Sequence, residues 1–270
     1  MDVCKKIFFI GIIMLCSCTK YLPGFDFDLF KGTESYELAL AVKRESIDEI
    51  TQIVKEGKVS VDALDPKFGH SLLMLAVAND LSASVKRLLE LGADPNKRSV
   101  TNSITTNEII TPVFVACNYI YKKNYCDTTI LKTLINYGGK VDDEIEVEFQ
   151  NAEYKSIATP LIEATKSDCL DIVELLVQSG ADINKYNYIE GNGPISSSII
   201  HGNLNVLKYL IIDRNIKIPR YSFVRQAHNE VPREELTVTD FLNEQKYDEN
   251  SKEFKVRKEI IDYLKKKNLK

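Results

Sequence analysis

Tryptophan is absent from the 270 residues, histidine occurs only three times, and no apolar stretch approaches the length that crosses a bilayer, about 20 residues. Each shortage excludes something. His70, His201 and His228 fall in separate parts of the chain and share no acid–base or metal site, so surface or capping places are expected for them. The run Ser196-Ser197-Ser198 has no Gly-x-Ser-x-Gly elbow around it. Neither a phosphate loop nor a dinucleotide fingerprint occurs. The acidic run of Asp142, Asp143, Glu144, Glu146 and Glu148 lacks the glycine that a calcium loop requires, and reads as a solvated acidic hairpin. A formal charge of −4 gives no basic field for nucleic acid. No catalytic residue, metal ligand or cofactor is therefore expected. Hydrophobic content of 44% is still enough for a folded chain.

What is present begins at the amino terminus. Lys5 and Lys6 precede a short apolar run, Ile7 to Leu15, and then Leu15-Cys16-Ser17-Cys18. A basic start, a short apolar core and a small residue before the cut describe an export signal. The segment resembles a bacterial lipoprotein processing site, with aliphatic Leu15, small Ser17 and then Cys18. Cys16 fits less well, because Leu15 would occupy the position that needs a small side chain. The resemblance implies cleavage of residues 1–17, and a diacylglyceryl thioether and acylated amine on Cys18. Stable membrane attachment needs more than one acyl chain, which such a cysteine supplies. The alternatives are an ordinary signal peptide with an incidental cysteine, and an uncleaved anchor. Thr19 stands where an Asp would resemble an inner-membrane retention signal. The expected location is the bacterial cell envelope, at the outer membrane and facing the periplasm.

Cys117, Cys126 and Cys169 remain beyond the processing site. Export permits disulfides, but three thiols cannot all pair within one chain. Free, mostly buried thiols are expected, with a Cys117–Cys126 bridge as the alternative.

Internal repetition dominates the rest. Thr159-Pro160-Leu161-Ile162-Glu163-Ala164 leads through Ile172, Val173, Leu175 and Leu176 to Gly180-Ala181-Asp182-Ile183-Asn184. Thr159 can cap a helix that Pro160 opens, and Gly180 can end a second helix in left-handed backbone. Ser71 to Ala76 opens a similar unit that closes at Gly92-Ala93-Asp94-Pro95-Asn96. Ala41 to Gly57, Ala76 to Gly92 and Ala164 to Gly180 are all sixteen residues apart. Variant units open at Thr111, Gly193 and Thr237. The third carries six additional residues between its helices, and the sixth about ten.

This pattern resembles the ankyrin repeat family, with its Thr-Pro-Leu-His-x-Ala opening and Gly-Ala-Asp-x-Asn close. The resemblance covers residues 34–270. It implies an all-α solenoid of about six helix-turn-helix units with extended inter-repeat fingers, lacking catalysis of its own. The histidine position holds Ala39, Met74, Phe114, Ile162, Ser196 and Asp240, so apolar packing is expected to replace the family's polar network. The Lys265-Lys266-Lys267 end suits a solvated solenoid cap. Residues 18–33 form a lipidated tether whose phenylalanines are expected to dock on the first repeat.

Against a period of about 33 residues, the fingers after repeats two, three and five are longer by about 7, 9 and 11 residues. Insertions in such arrays map to one face, often the binding face. The fingers carry Arg98, Tyr154, Tyr186, Tyr188, Tyr221 and Arg225, residue types enriched at interface hot spots. The expected function is a lipid-anchored module that binds a protein, as scaffold or inhibitor, and is monomeric. An immunity protein that neutralises a periplasmic toxin is one alternative. An enzyme whose site is built from loop insertions is the other.

Overall fold

A computed structural model describes residues 24–99, 109–118, 126–148, 155–185, 193–219, 223–225 and 234–269. Twelve α-helices in these segments pair into six antiparallel units. They are α1 (Tyr36–Lys43) with α2 (Ile47–Lys55), α3 (Leu72–Ala78) with α4 (Ser82–Glu90), and α5 (Pro112–Asn118) with α6 (Thr129–Asn136). Then come α7 (Pro160–Ala164) with α8 (Leu170–Gln178), α9 (Pro194–Ile200) with α10 (Leu204–Lys208), and α11 (Val238–Glu244) with α12 (Lys252–Lys266). Consecutive inner helices pack on one another, α1 on α3, α3 on α5, α5 on α7, α7 on α9 and α9 on α11. One apolar core runs the length of this stack, from Phe25 to Leu264.

The helix starts follow from the opening residues. Ser71, Thr111 and Thr159 accept the backbone N–H three residues on, at 3.2, 3.3 and 3.2 Å. Thr237 does the same for Asp240, whose carboxylate returns the bond to the Thr237 N–H. The outer helix α4 has no side-chain cap from its own N-cap residue, and the preceding repeat supplies one. Glu45, between α1 and α2, accepts from the N–H groups of Ala83 and Ser84 at the start of α4.

The close of each unit is equally specific. Gly180 has φ of 98°, and with that turn the Ala181 N–H reaches the Leu176 carbonyl at 3.0 Å. The slot after the glycine holds Ala93 and Ala181 in two repeats but Gly139 in the third. A Cβ on Gly139 would lie 2.8 Å from the Leu134 carbonyl oxygen and 2.8 Å from Val113 Cγ2. Gly139→Ala, the change the repeat pattern recommends, is therefore expected to cost about 1–3 kcal/mol by overpacking. The urea midpoint of the variant checks this, and an unchanged or higher midpoint would refute it.

Three expectations need correction. Polar bonds do cross between repeats: Ser84 Oγ donates to the Val42 carbonyl, Ser197 Oγ to Ile162, and Asn203 Nδ2 to Thr165. A different set of small polar residues thus replaces the missing histidines. The ten additional residues of the last unit are divided, about four lengthening the turn and the rest extending α12, which is 15 residues long. Arg257 of α12 reaches back to the Leu242 and Gln245 carbonyls at the end of α11. Lastly, Cys126 and Cys169 form a disulfide with a Cα separation of 5.4 Å, and Cys117 is free and buried. Neither three free thiols nor a Cys117–Cys126 bridge is the outcome, because adjacent inter-helix turns stack side by side.

At the amino-terminal end, Phe27–Phe30 form a 3₁₀ turn, and Phe25, Phe27 and Phe30 are all buried. These rings close the open end of the core beside α1. Residues 24–33 are thus packed structure, and any free tether lies before them. The fifth unit ends in a π turn, Tyr209–Asp213, whose wider loop lets Arg214 N–H bond the Tyr209 carbonyl. Among the described residues, no helix is long and apolar enough to cross a membrane.

Candidate partner-binding surface

The fingers are joined to one another by the residues that close each repeat. Asp62 accepts from the Asp94 N–H at 2.9 Å, and Asn96 accepts from Lys140 N–H at 2.8 Å while donating to the Gly138 carbonyl. Asp142 accepts from Asp182 N–H at 3.1 Å, and Asn184 from Lys217 N–H at 2.9 Å. Asp62, Asn96, Asp142 and Asn184 thus satisfy backbone of the next finger, while Asp94 and Asp182 accept from Asn96 N–H and Asn184 N–H within their own. This is the physical reason for Asp-x-Asn in the closing motif: the Asp side chain fixes a local turn two residues long, and the Asn it holds replaces strand pairing along the finger edge.

The enlarged fingers begin and end, in their described residues, as antiparallel pairs. In the third, β1 (Ile145–Glu148) pairs antiparallel with β2 (Lys155–Ala158), Ile145 opposite Ala158. In the fifth, β3 (Phe223–Arg225) pairs with β4 (Glu234–Leu236), Arg225 opposite Glu234. The second finger begins as a pair too, with Ser99 N–H bonded to the Ile110 carbonyl and Ser99 Oγ accepting the Ile110 N–H.

Among the described residues, two ion pairs join neighbouring fingers. Arg98, 49% exposed, meets Asp143 at 2.6 Å and links finger two to finger three. Lys185 meets Glu144 and links finger three to finger four. That contact holds the Lys185 ammonium above its usual range. The acidic run is therefore not merely solvated: Asp142, Asp143 and Glu144 each bind a neighbouring finger. Exposed pairs of this kind add little stability, but they fix spacing. Sequence reasoning missed this internal use. The signal was available, since Asn96, Asp142 and Asn184 each stand four residues after the glycine that closes the repeat.

Of the residues expected to meet a partner, Arg98 lies in that ion pair and Arg225 in β3. Tyr154, Tyr186, Tyr188 and Tyr221 lie outside the described residues, as does Cys18. His70 is buried, not superficial: its ring stacks on Phe25 with centroids 4.6 Å apart, and Nδ1 lies 3.0 Å from the Gly24 carbonyl. His201 sits at the end of α9, bonded to the Ser197 carbonyl, and His228 falls outside the described residues.

A buried group of reactive types lies near the middle of the stack. Glu163 is 4% exposed and holds Lys166 at 2.5 Å. Burial, with the Glu163 charge, pushes the Cys117 thiol far above its ordinary value. A cysteine held as thiol is no nucleophile. Among the described residues, no three His, Cys, Asp or Glu side chains converge to hold a metal.

Comparison with protein families agrees with this geometry. Residues 116–221 match a family model described as ankyrin repeats (3 copies), and residues 68–100 match one described as ankyrin repeat. Together the matches take in slightly more than half of the chain. A comparison with curated proteins finds no relative. The structure adds the first and sixth units, which pair and pack as the matched ones do. The helix pairs, the capped fingers and the two family matches make this chain a member of the ankyrin repeat family, a protein–protein interaction module.

Proposed function

We propose that the protein is a lipid-anchored module of the bacterial cell envelope that binds another protein without catalysing a reaction, as scaffold or inhibitor. The observation that carries the location is the Cys126–Cys169 disulfide, because structural disulfides persist in exported compartments and are rare in reducing ones. It supports the same reading as the Leu15-Cys16-Ser17-Cys18 segment, in which Cys18 bears the lipid and outer-membrane attachment faces the periplasm. Binding falls to the fingers, through Tyr154, Tyr186, Tyr188, Tyr221 and Arg225. Arg98 is reassigned from partner contact to holding fingers two and three together, since Asp143 already engages it. The stack acts as a monomer tethered by residues 18–23, a reach of roughly 20 Å at about 3.5 Å per residue. Partners near the membrane surface then meet it at high effective concentration.

In cells, Cys18→Ala is expected to abolish incorporation of a labelled fatty acid and to move the chain from the membrane fraction to the soluble one. Persistence of both signals would exclude Cys18 as the anchor. For binding, Tyr188→Ala, Tyr221→Ala and Arg225→Ala are combined and in-cell crosslinks compared with those of the unmodified chain. Loss of a captured protein supports the finger surface, and an unchanged set of partners rules it out. A resident envelope protein among those captured marks a scaffold or inhibitor; an exported toxin marks an immunity protein.

A further inference from the structure

The side chains that join finger to finger stop at one place. Asn96, Asp142 and Asn184 each stand four residues after a left-handed closing residue, Gly92, Gly138 and Gly180. Each accepts from the N–H two residues beyond the next closing residue, that of Lys140, Asp182 and Lys217. Asp62, beyond Gly57, does the same for Asp94. In the fifth repeat the closing residue is Asn215, with φ of 50°, and four residues on stands Pro219. Its ring has no oxygen to offer. The ladder therefore crosses the junctions from repeat one to repeat five, and Pro219 cannot carry it into repeat six.

That last junction is made differently. α11 packs on α9, and α12 packs on α10 and on the π turn Tyr209–Asp213. Lys208 meets Glu259 at 2.9 Å with side chains 32% and 51% exposed, and Tyr263 Oη donates to exposed Asn215 at 3.2 Å. Water competes for such contacts, so they hold weakly. One junction earlier, Ser197 Oγ and Asn203 Nδ2 make buried bonds across the repeats, and the Cys126–Cys169 disulfide crosses the junction before that. Inside the sixth repeat the ties are firm. Arg257 of α12 donates to the Leu242 and Gln245 carbonyls and lies 5.2 Å from the Phe254 ring. Thr237 and Asp240 cap α11 reciprocally, and Ser251 caps α12 at 3.0 Å.

We propose that the sixth repeat is a flap: α11 and α12 open from repeat five as one body, while repeats one to five stay stacked. A unit with firm internal bonds and a weakly tied boundary opens as a whole in a one-dimensional array. The hinge lies at Pro219, between Lys217, which Asn184 holds, and β3. Leu236 is buried and β4 runs directly into Thr237, the cap of α11, so the fifth hairpin travels with the flap. Arg225 rides on that hairpin. On the finger-binding reading, a partner that touches Arg225 and the earlier fingers spans the hinge and holds the flap closed.

The test uses the full, unlipidated chain with no partner, so it stands or falls separately from Cys18 and from finger binding. In hydrogen exchange, amides of α11 and α12 are expected to exchange at one common rate, about tenfold or more faster than those of α7 to α10. Those of α1 and α2, at the opposite end of the stack, should stay slow. Asn184→Ala breaks the ladder one junction earlier, and should speed exchange in α9 and α10 but not in α7. Slow exchange throughout α11 and α12, or different rates in the two helices, overturns the flap. Equally fast exchange in α1 and α2 also overturns it, since both ends of the solenoid would then simply fray. Asn184→Ala without effect on α9 and α10 would show that the ladder does not set the boundary, and would remove the hinge from Pro219.

Discussion

A chain carrying Cys126→Ser and Cys169→Ser together is expected to lose about 4 kcal/mol of stability, the loop-closure value for a loop of this length. The bridged residues are 43 apart in sequence, and reduction of the intact protein with excess dithiol should have the same effect. Cys169 sits at the start of α8 and Cys126 shortly before α6, so the bridge staples the inter-helix turns of two neighbouring repeats. In a stack where each unit touches only its neighbours, such a staple makes repeats three and four unfold together. Urea denaturation with and without dithiol reads the loss. Alkylation of the denatured, unreduced protein should tag Cys117 and spare Cys126 and Cys169. Cys117→Ala should leave that protection intact. An unchanged urea midpoint on reduction, or alkylation of Cys126 in the oxidised chain, would exclude the bridge.

That the sequence reading favoured free thiols shows where repetition is legible and where it is not. The sixteen-residue spacing from Ala76 to Gly92, and from Ala164 to Gly180, located helix pairs because the period of a solenoid is imposed by local geometry. Capping by Thr159 and Thr237 was readable for the same reason: donor and acceptor are three residues apart. Contacts one repeat away are a different matter. Cys126 meets Cys169, Glu45 caps α4, and Arg98 meets Asp143, all through stacking that places equivalent turns side by side. A one-repeat offset was the relevant distance, and it is irregular here because the third unit carries an insertion. The finger surface was legible only as residue types. Arg98 has the right chemistry for a partner and an internal acceptor at 2.6 Å, which no composition reveals.

Phe27→Ala is expected to cost about 4 kcal/mol, within the range for truncating a fully buried phenylalanine. The ring has no exposed surface and belongs to the segment that would otherwise read as a linker. A solenoid end exposes the apolar side of its terminal unit unless something covers it. Here α1 is short and its partner α2 buries only Ile50 fully, so the first unit has little apolar area of its own. Phe25, Phe27 and Phe30 supply the missing layer. The loss should accordingly be local: amide exchange in α1 and α2 should accelerate strongly, while α8 and α10 keep their protection. Phe254→Ala, at a half-buried ring in the opposite terminal repeat, provides the contrast and should leave α1 and α2 unchanged. A Phe27→Ala chain with a urea midpoint near that of the unmodified protein would mean the segment is only draped over the stack. Equal acceleration in all six units would mean that the array unfolds as one body, and that covering its amino-terminal end stabilises the whole.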